Sequence, residues 1–202
     1  MLGDLLEKRP VVFNGLNGKI YGTLYGNSSV WVLLCPPHPL YGGSKDDFRL
    51  VFIAQKLAKN GIGALCIDYH GYSYGVKEVD DVLSTILYLR NKTNKVGLIG
   101  YSFGAVVASI ASTKTSVKGL VLMSLLKKVN GLEANINSPC PKLFIHGRYD
   151  TIAPYTDFEN LYNEAKGNKK KIILETDHFY LEKNVLEHVS EEVYKFFTDL
   201  FF

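Results

Sequence analysis

The sequence predicts an α/β fold: a mostly parallel central sheet, opened by an antiparallel hairpin and flanked by helices on both faces. Three observations carry this. Short apolar runs alternate with segments of helical period from Val30 onward, the pattern of strand–helix–strand units. Runs such as Val30 to Cys35 are continuously apolar, as strands covered on both faces are. The first two runs are joined by a short Gly-containing turn instead of a helix, which makes them a hairpin.

Val11 to Phe13 and Lys19 to Tyr25 are the hairpin strands, joined through Asn14-Gly15-Leu16-Asn17-Gly18. Val30 to Cys35 is a strand closed by Pro36-Pro37. Asp46 to Lys59 places Phe48, Val51, Phe52, Ala54, Leu57 and Ala58 at helical spacing, and Asn60-Gly61 stops it. Ile62 to Tyr69 is a strand. Val76 to Leu89 is a helix with Val79, Val82, Leu83, Ile86 and Leu87 on one face. Val96 to Ile99, a strand, leads into a small-residue helix, Phe103 to Ser112. Strands at Val117 to Met123, Leu143 to His146 and Lys171 to Leu174 follow, with a helix from Tyr155 to Ala165 before the last. Val185 to Leu200 closes the chain as an amphipathic helix.

The 202 residues fit a single domain, residues 1–202. A formal charge of +3 gives no reason to expect nucleic acid or an anionic membrane as partner. The basic run Lys169-Lys170-Lys171 follows Gly167-Asn168 and reads as a solvated turn. No stretch approaches the roughly 20 apolar residues that span a bilayer, and Met1 to Pro10 lacks the apolar core of a signal peptide. Cys35, Cys66 and Cys140 form no CxxC pair or metal spacing; Cys35 and Cys66 lie in apolar runs and read as buried thiols, and an odd cysteine count suits a reducing, cytoplasmic setting. The closing helix ends Phe196-Phe197 and Phe201-Phe202, which hints at a contact surface.

In parallel sheets of this kind, ligands bind beyond the carboxyl ends of the strands. Gly100-Tyr101-Ser102-Phe103-Gly104 falls there, between a strand and a helix. A G-x-S-x-G match arises by chance in about one such chain in ten, so context must support it. The bland reading is a Gly-rich turn with Ser102 as helix cap. The chemical reading is a nucleophile on a tight strand-to-helix turn, with its hydroxyl exposed at a helix N-terminus. Such a hydroxyl needs a base. His178 follows the Lys171 to Leu174 strand and meets that need. His146 reads as a turn or packing residue, His188 as solvated, and His38 and His70 as residues that follow strands near the cleft. Asp150, beyond the Leu143 to His146 strand, is placed to orient His178. Asp177 competes for that role, but adjacent side chains point apart, which favours Asp150.

The order Ser102, Asp150, His178, each after a successive strand, resembles the α/β-hydrolase superfamily. Cys35-Pro36-Pro37-His38-Pro39-Leu40-Tyr41-Gly42-Gly43 resembles the His-Pro-x-x-Gly-Gly loop of small, dienelactone-hydrolase-like members. Asp68-Tyr69-His70-Gly71-Tyr72-Ser73-Tyr74-Gly75 is similar to the superfamily's D-x-R-G-x-G-x-S loop, with His70 in place of arginine. His146-Gly147-x-x-Asp150 matches the acid loop. The resemblance covers nearly the whole chain. It implies an oxyanion hole of two backbone amides, Phe103 and, by alignment of His38-Pro39 with the family's His-Gly, Leu40, with Tyr41 next in line. Dienelactone hydrolases proper use cysteine, so Ser102 departs from that activity. Ser124 to Lys142 has room for a turn or brief helix, not a folded cap.

The expected activity is cofactor-free, metal-free serine hydrolysis of a carboxylic ester or thioester, on a small or exposed acyl substrate. His38, Tyr41, Tyr72 and Phe179 are the expected pocket residues. A non-catalytic scaffold, a small peptidase and an acyltransferase using the same triad are the alternatives.

Overall fold

The computed structural model describes residues 7–202. The hairpin strands are β1 (Lys8–Gly15) and β2 (Gly18–Tyr25). Then follow β3 (Trp31–Cys35), α1 (Phe48–Lys59), β4 (Gly63–Ile67), α2 (Val76–Arg90), β5 (Val96–Tyr101), α3 (Phe103–Lys114) and β6 (Leu120–Met123). Two short strands, β7 (Lys128–Val129) and β8 (Leu132–Glu133), precede β9 (Lys142–Gly147), α4 (Tyr155–Glu164), β10 (Lys169–Leu174) and α5 (Lys183–Phe201).

Eight strands form one sheet in the order β1-β2-β4-β3-β5-β6-β9-β10. β1 and β2 pair antiparallel, as the turn between them predicts, and β2 joins β4 antiparallel. From β4 to β10 every pairing is parallel. β3 to β6 are buried along their whole length, so their lack of alternation reflects helices on both faces. One core lies against α2, α3 and α4 and contains Val82, Ile86, Val107, Phe144 and Phe158. The other lies against α1 and α5 and contains Ile53, Leu57, Val189, Val193 and Phe197. No helix among the described residues is long and apolar enough to cross a membrane.

Three expectations change. Lys169, Lys170 and Lys171 are not a solvated turn but the start of the edge strand β10. Lys169 Nζ donates to the Tyr162, Asn163 and Ala165 carbonyls at the end of α4, while Lys170 pairs with Glu192 and Lys171 with Glu159. Lysines on an edge also discourage pairing with another chain. The phenylalanines of α5 are no contact face: Phe197 and Phe201 lie in the core, and Phe202 alone of the four is exposed. The segment between β6 and β9 holds the β7–β8 hairpin, turned at Asn130-Gly131 with both φ values positive, the backbone of a two-residue hairpin turn. His70, which replaces an arginine of the resembled loop, packs its ring against Gly18, while its amide donates to Asp81 Oδ2.

Candidate active site

β5 ends at Tyr101 and α3 begins at Phe103, so the chain reverses within one residue. Ser102 takes that reversal at φ +56°, ψ −119°. Two glycines make the turn possible. A Cβ on Gly100 would stand 2.2 Å from the Gly104 carbonyl oxygen, and one on Gly104 would stand 2.3 Å from the carbonyl oxygens of Cys35 and Pro36. Ser102 occupies the N-cap position of α3, yet its side chain caps no amide. Its hydroxyl lies 3.0 Å from His178 Nε2.

His178 Nδ1 lies 2.7 Å from Asp150 Oδ2. All three groups are buried. Burial pushes the Asp150 carboxyl up, but hydrogen bonds from His178, the Ala153 amide and the Ser124 hydroxyl outweigh it and hold the group below the usual carboxylate range. Asp177 is turned away: its Oδ1 accepts the Phe179 amide two residues on, and it is exposed.

The acid loop is braced from within. Asp150 Oδ1 accepts the Ile152 and Ala153 amides at 3.0 and 2.7 Å. The buried ring of His146 stacks on Phe158 and reaches the Ala153 carbonyl through Nε2 at 2.9 Å. Its Nδ1 has no partner among the described residues, and burial pushes its pKa down. The His178 loop is held from two sides. Tyr101 donates its hydroxyl to the His178 carbonyl at 2.8 Å. Arg49, fixed by Asp47, donates to the Phe179 carbonyl at 3.2 Å and lies 4.4 Å over the Tyr101 ring.

A cavity of about 330 Å³ opens over Ser102 and His178. Pro37, His38, Tyr41, Arg49, Tyr101, Ile152 and Phe179 line the remainder. His38, Tyr41 and Phe179 therefore stand where the sequence reading puts them. Tyr72 does not line the cavity: its ring packs at a tilt against His38, centroids 4.6 Å apart, on the side toward Phe103. A larger groove of about 610 Å³ between the β1–β2 hairpin and α2 brings no base to a nucleophile.

The Leu40 expectation fails on its hydrogen bond. The Leu40 amide donates to His38 Nδ1 at 3.2 Å, within a 3-10 turn over Pro39–Tyr41. Tyr41, the second choice, donates its amide to the His38 carbonyl. Pro36, Pro37 and Pro39 have no N–H. The amide of His38 is thus the one between Cys35 and Gly42 that finds no acceptor among the described residues. Alignment to a family pattern missed this because loop amides are assigned by local turn geometry, not by residue type.

Five non-glycine residues have positive φ among the described residues: Tyr74, Ser102, Ser124, Asn130 and Tyr180. All five converge on this region. Ser124 donates to Asp150 Oδ2 at 2.7 Å, and Tyr180 meets Ser124 at 2.9 Å. The Asn130 carboxamide stands 3.1 Å from His38 Nε2 and meets the Tyr72 hydroxyl. Tyr74 packs on Tyr72 at 5.0 Å. Such backbones cost about 1–3 kcal/mol each and cluster where geometry matters to function.

The sheet order, the tight turn at Ser102 and the uncapped top define an α/β-hydrolase. The match of residues 67–179 to the model described as "Dienelactone hydrolase family" covers more than half of the chain, and the chain belongs to that family. The matched stretch includes Ser102, Asp150 and His178. An uncharacterised protein of Rickettsia prowazekii is 27% identical over 197 residues, covering 86% of this chain and 82% of the relative. An α/β serine hydrolase homologue from Coxiella burnetii superposes with TM-score 0.83 at 20% identity, covering 93% of this chain and 96% of the other. A serine hydrolase without a lid from Xanthomonas campestris gives 0.79 at 18%, covering 93% and 92%. An esterase from Pyrococcus furiosus gives 0.83 at 19%, covering 96% and 93%. At these identities the solved structures speak for the fold.

Proposed function

We propose that this hydrolase, acting through a single domain, cleaves carboxylic esters or thioesters of small or exposed substrates through an acyl-enzyme on Ser102. The unbroken line of hydrogen bonds from Ser102 through His178 to Asp150, under an apolar cavity, carries this reading. Ser102 Oγ attacks the acyl carbonyl as His178 Nε2 takes its proton. Asp150 holds the other ring nitrogen and stabilises the imidazolium. The developing oxyanion is met by the Phe103 amide at the start of α3 and the unpartnered His38 amide. His178 returns the proton to the leaving alcohol or thiol, and a water repeats the sequence to release the acid.

Tyr41, Ile152 and Phe179 give the acyl group an apolar lining. The limited volume favours short chains. The buried, unbridged cysteines suit a cytoplasmic setting.

A fluorophosphonate probe is expected to label Ser102 and to leave Ser102→Ala untouched. No adduct on the folded protein would mean a scaffold that binds without catalysis. In a nitrophenyl ester series, turnover should peak at short acyl chains and vanish in Ser102→Ala.

A further inference from the structure

Resting on that triad reading, we infer that Ser124, held by Tyr180, is a positioning residue of the active site: its hydroxyl governs how strongly Asp150 draws the proton on His178.

The hydrogen-bond count at Asp150 supports this. A carboxylate has about four acceptor positions. Oδ1 accepts two amides, Ile152 and Ala153. Oδ2 accepts His178 Nδ1–H and the Ser124 hydroxyl. Every position is filled, and Ser124 shares its oxygen with the base. A hydroxyl proton on Oδ2 withdraws charge from the atom that stabilises the imidazolium.

The direction of the relay follows from its far end. Burial raises the Tyr180 phenol far above its ordinary value, so it stays protonated and can donate. Its contacts are Ser124 Oγ at 2.9 Å and the Ile145 carbonyl at 3.4 Å. Ser124 has one hydroxyl proton, and Asp150 cannot return one. Tyr180 therefore directs its one proton to Ser124, the nearer of its two acceptors, with the Ile145 carbonyl the longer contact, and Ser124 donates to Asp150. Both donors are fully buried, and both are non-glycine residues at positive φ, +45° and +50°. An unconstrained chain would place neither backbone there.

Other charged or titratable groups face this cluster: His146 from β9, Tyr101 from β5, Arg49 and Asp47 from the start of α1, and Asp177 beside His178. None of them donates to Asp150 Oδ2 among the described residues, so the Ser124 bond is the separable one.

The test is the pH profile of kcat/KM for Ser124→Ala, Ser124→Gly and Tyr180→Phe, whose acid limb reports protonation of the base. Glycine suits the positive φ, so Ser124→Gly removes the hydroxyl without adding strain. Losing the hydroxyl leaves Asp150 more basic. The acid limb should move upward by about one pH unit in both Ser124 variants, with kcat down about tenfold and KM little changed. Tyr180→Phe should move it the same way by less. An acid limb that stays in place or moves down in Ser124→Gly overturns the inference, even if activity falls. Ser102→Ala run alongside separates the two claims: full activity there would remove the triad reading itself, whereas loss of activity with an immobile limb removes only the role of Ser124.

Discussion

On the proposed mechanism, His38 has two functions that substitution can separate. Its ring packs against Tyr41, Tyr72 and Phe103, and its amide, without an acceptor among the described residues, is the proposed second oxyanion donor. The backbone at His38, φ −62° and ψ 121°, is one that proline adopts without strain. His38→Pro deletes the amide hydrogen and the ring, while His38→Ala deletes the ring alone. Ester turnover should fall about 10²–10³-fold further in His38→Pro than in His38→Ala; equal rates would place the second donor elsewhere. The acid assignment separates as cleanly. Asp150→Asn should lower kcat by about 10⁴-fold, and Asp177→Asn by no more than a few-fold, measured on a nitrophenyl acetate substrate. The meeting of Ser102, Asp150 and His178 was legible because each follows a strand in a fixed order. Ser124 also follows a strand directly, so the same rule pointed at it, but no motif singled it out. Tyr180 read only as an aromatic beside the pocket, not as a hydrogen-bond partner of Ser124, and Arg49 gave no local signal. Their partners lie 56 and 130 residues away, and only the folded chain brings them together.

At the scale of elements, the β7–β8 hairpin and the acid loop do work that their sequences disguise. Four strand residues are too few to show alternation, so the segment read as a turn or a brief helix. Its Asn130-Gly131 turn is a hairpin signal, and the Asn130 side chain steadies the His38 ring. Asn130→Gly keeps the positive φ and removes the contact. KM should rise about fivefold with the melting temperature nearly unchanged, the effect on binding of losing the Asn130 contacts to His38 and Tyr72 at an exposed turn. The acid loop carries a pH dependence of its own. His146 is buried, and its folded pKa lies below the ordinary imidazole value of 6.5. Between those two values the unfolded chain binds more protons than the folded one. Stability from this residue is therefore complete above pH 6.5 and declines as pH falls toward the folded value. His146→Phe preserves stacking on Phe158 and removes the titration. Urea unfolding at pH 7 and pH 5 should show a smaller loss of stability in the variant than in the parent chain. The lysines of β10 were misread for a related reason: a charge run says nothing of its partners, and Glu159 and Glu192 sit on helices α4 and α5.

For the whole molecule, the fold was legible because its strand-and-helix alternation is regular, whereas the sheet order depends on crossovers that no local pattern encodes. That order puts β5, the strand carrying Ser102, between β3 and β6, with a core on either face. The two cores are separate layers, so the strand carrying Ser102 can be tested from its α1–α5 face. Phe197 of α5 is fully buried, stacks on Phe201, and presses on Gly97 of β5, where a Cβ would come within 2.2 Å of its ring. Phe197→Ala opens a cavity beneath that strand and should destabilise the protein by about 3–5 kcal/mol, read from urea unfolding. The strand remains paired on both sides and remains packed on α3. The Ser102 turn should therefore keep its shape: fluorophosphonate titration should count fewer active sites as temperature rises, while turnover per labelled site stays near that of the parent chain. A large fall in turnover per labelled site at low temperature, where the variant is folded, would show instead that the α1–α5 layer sets the geometry of the nucleophile as well as supporting it.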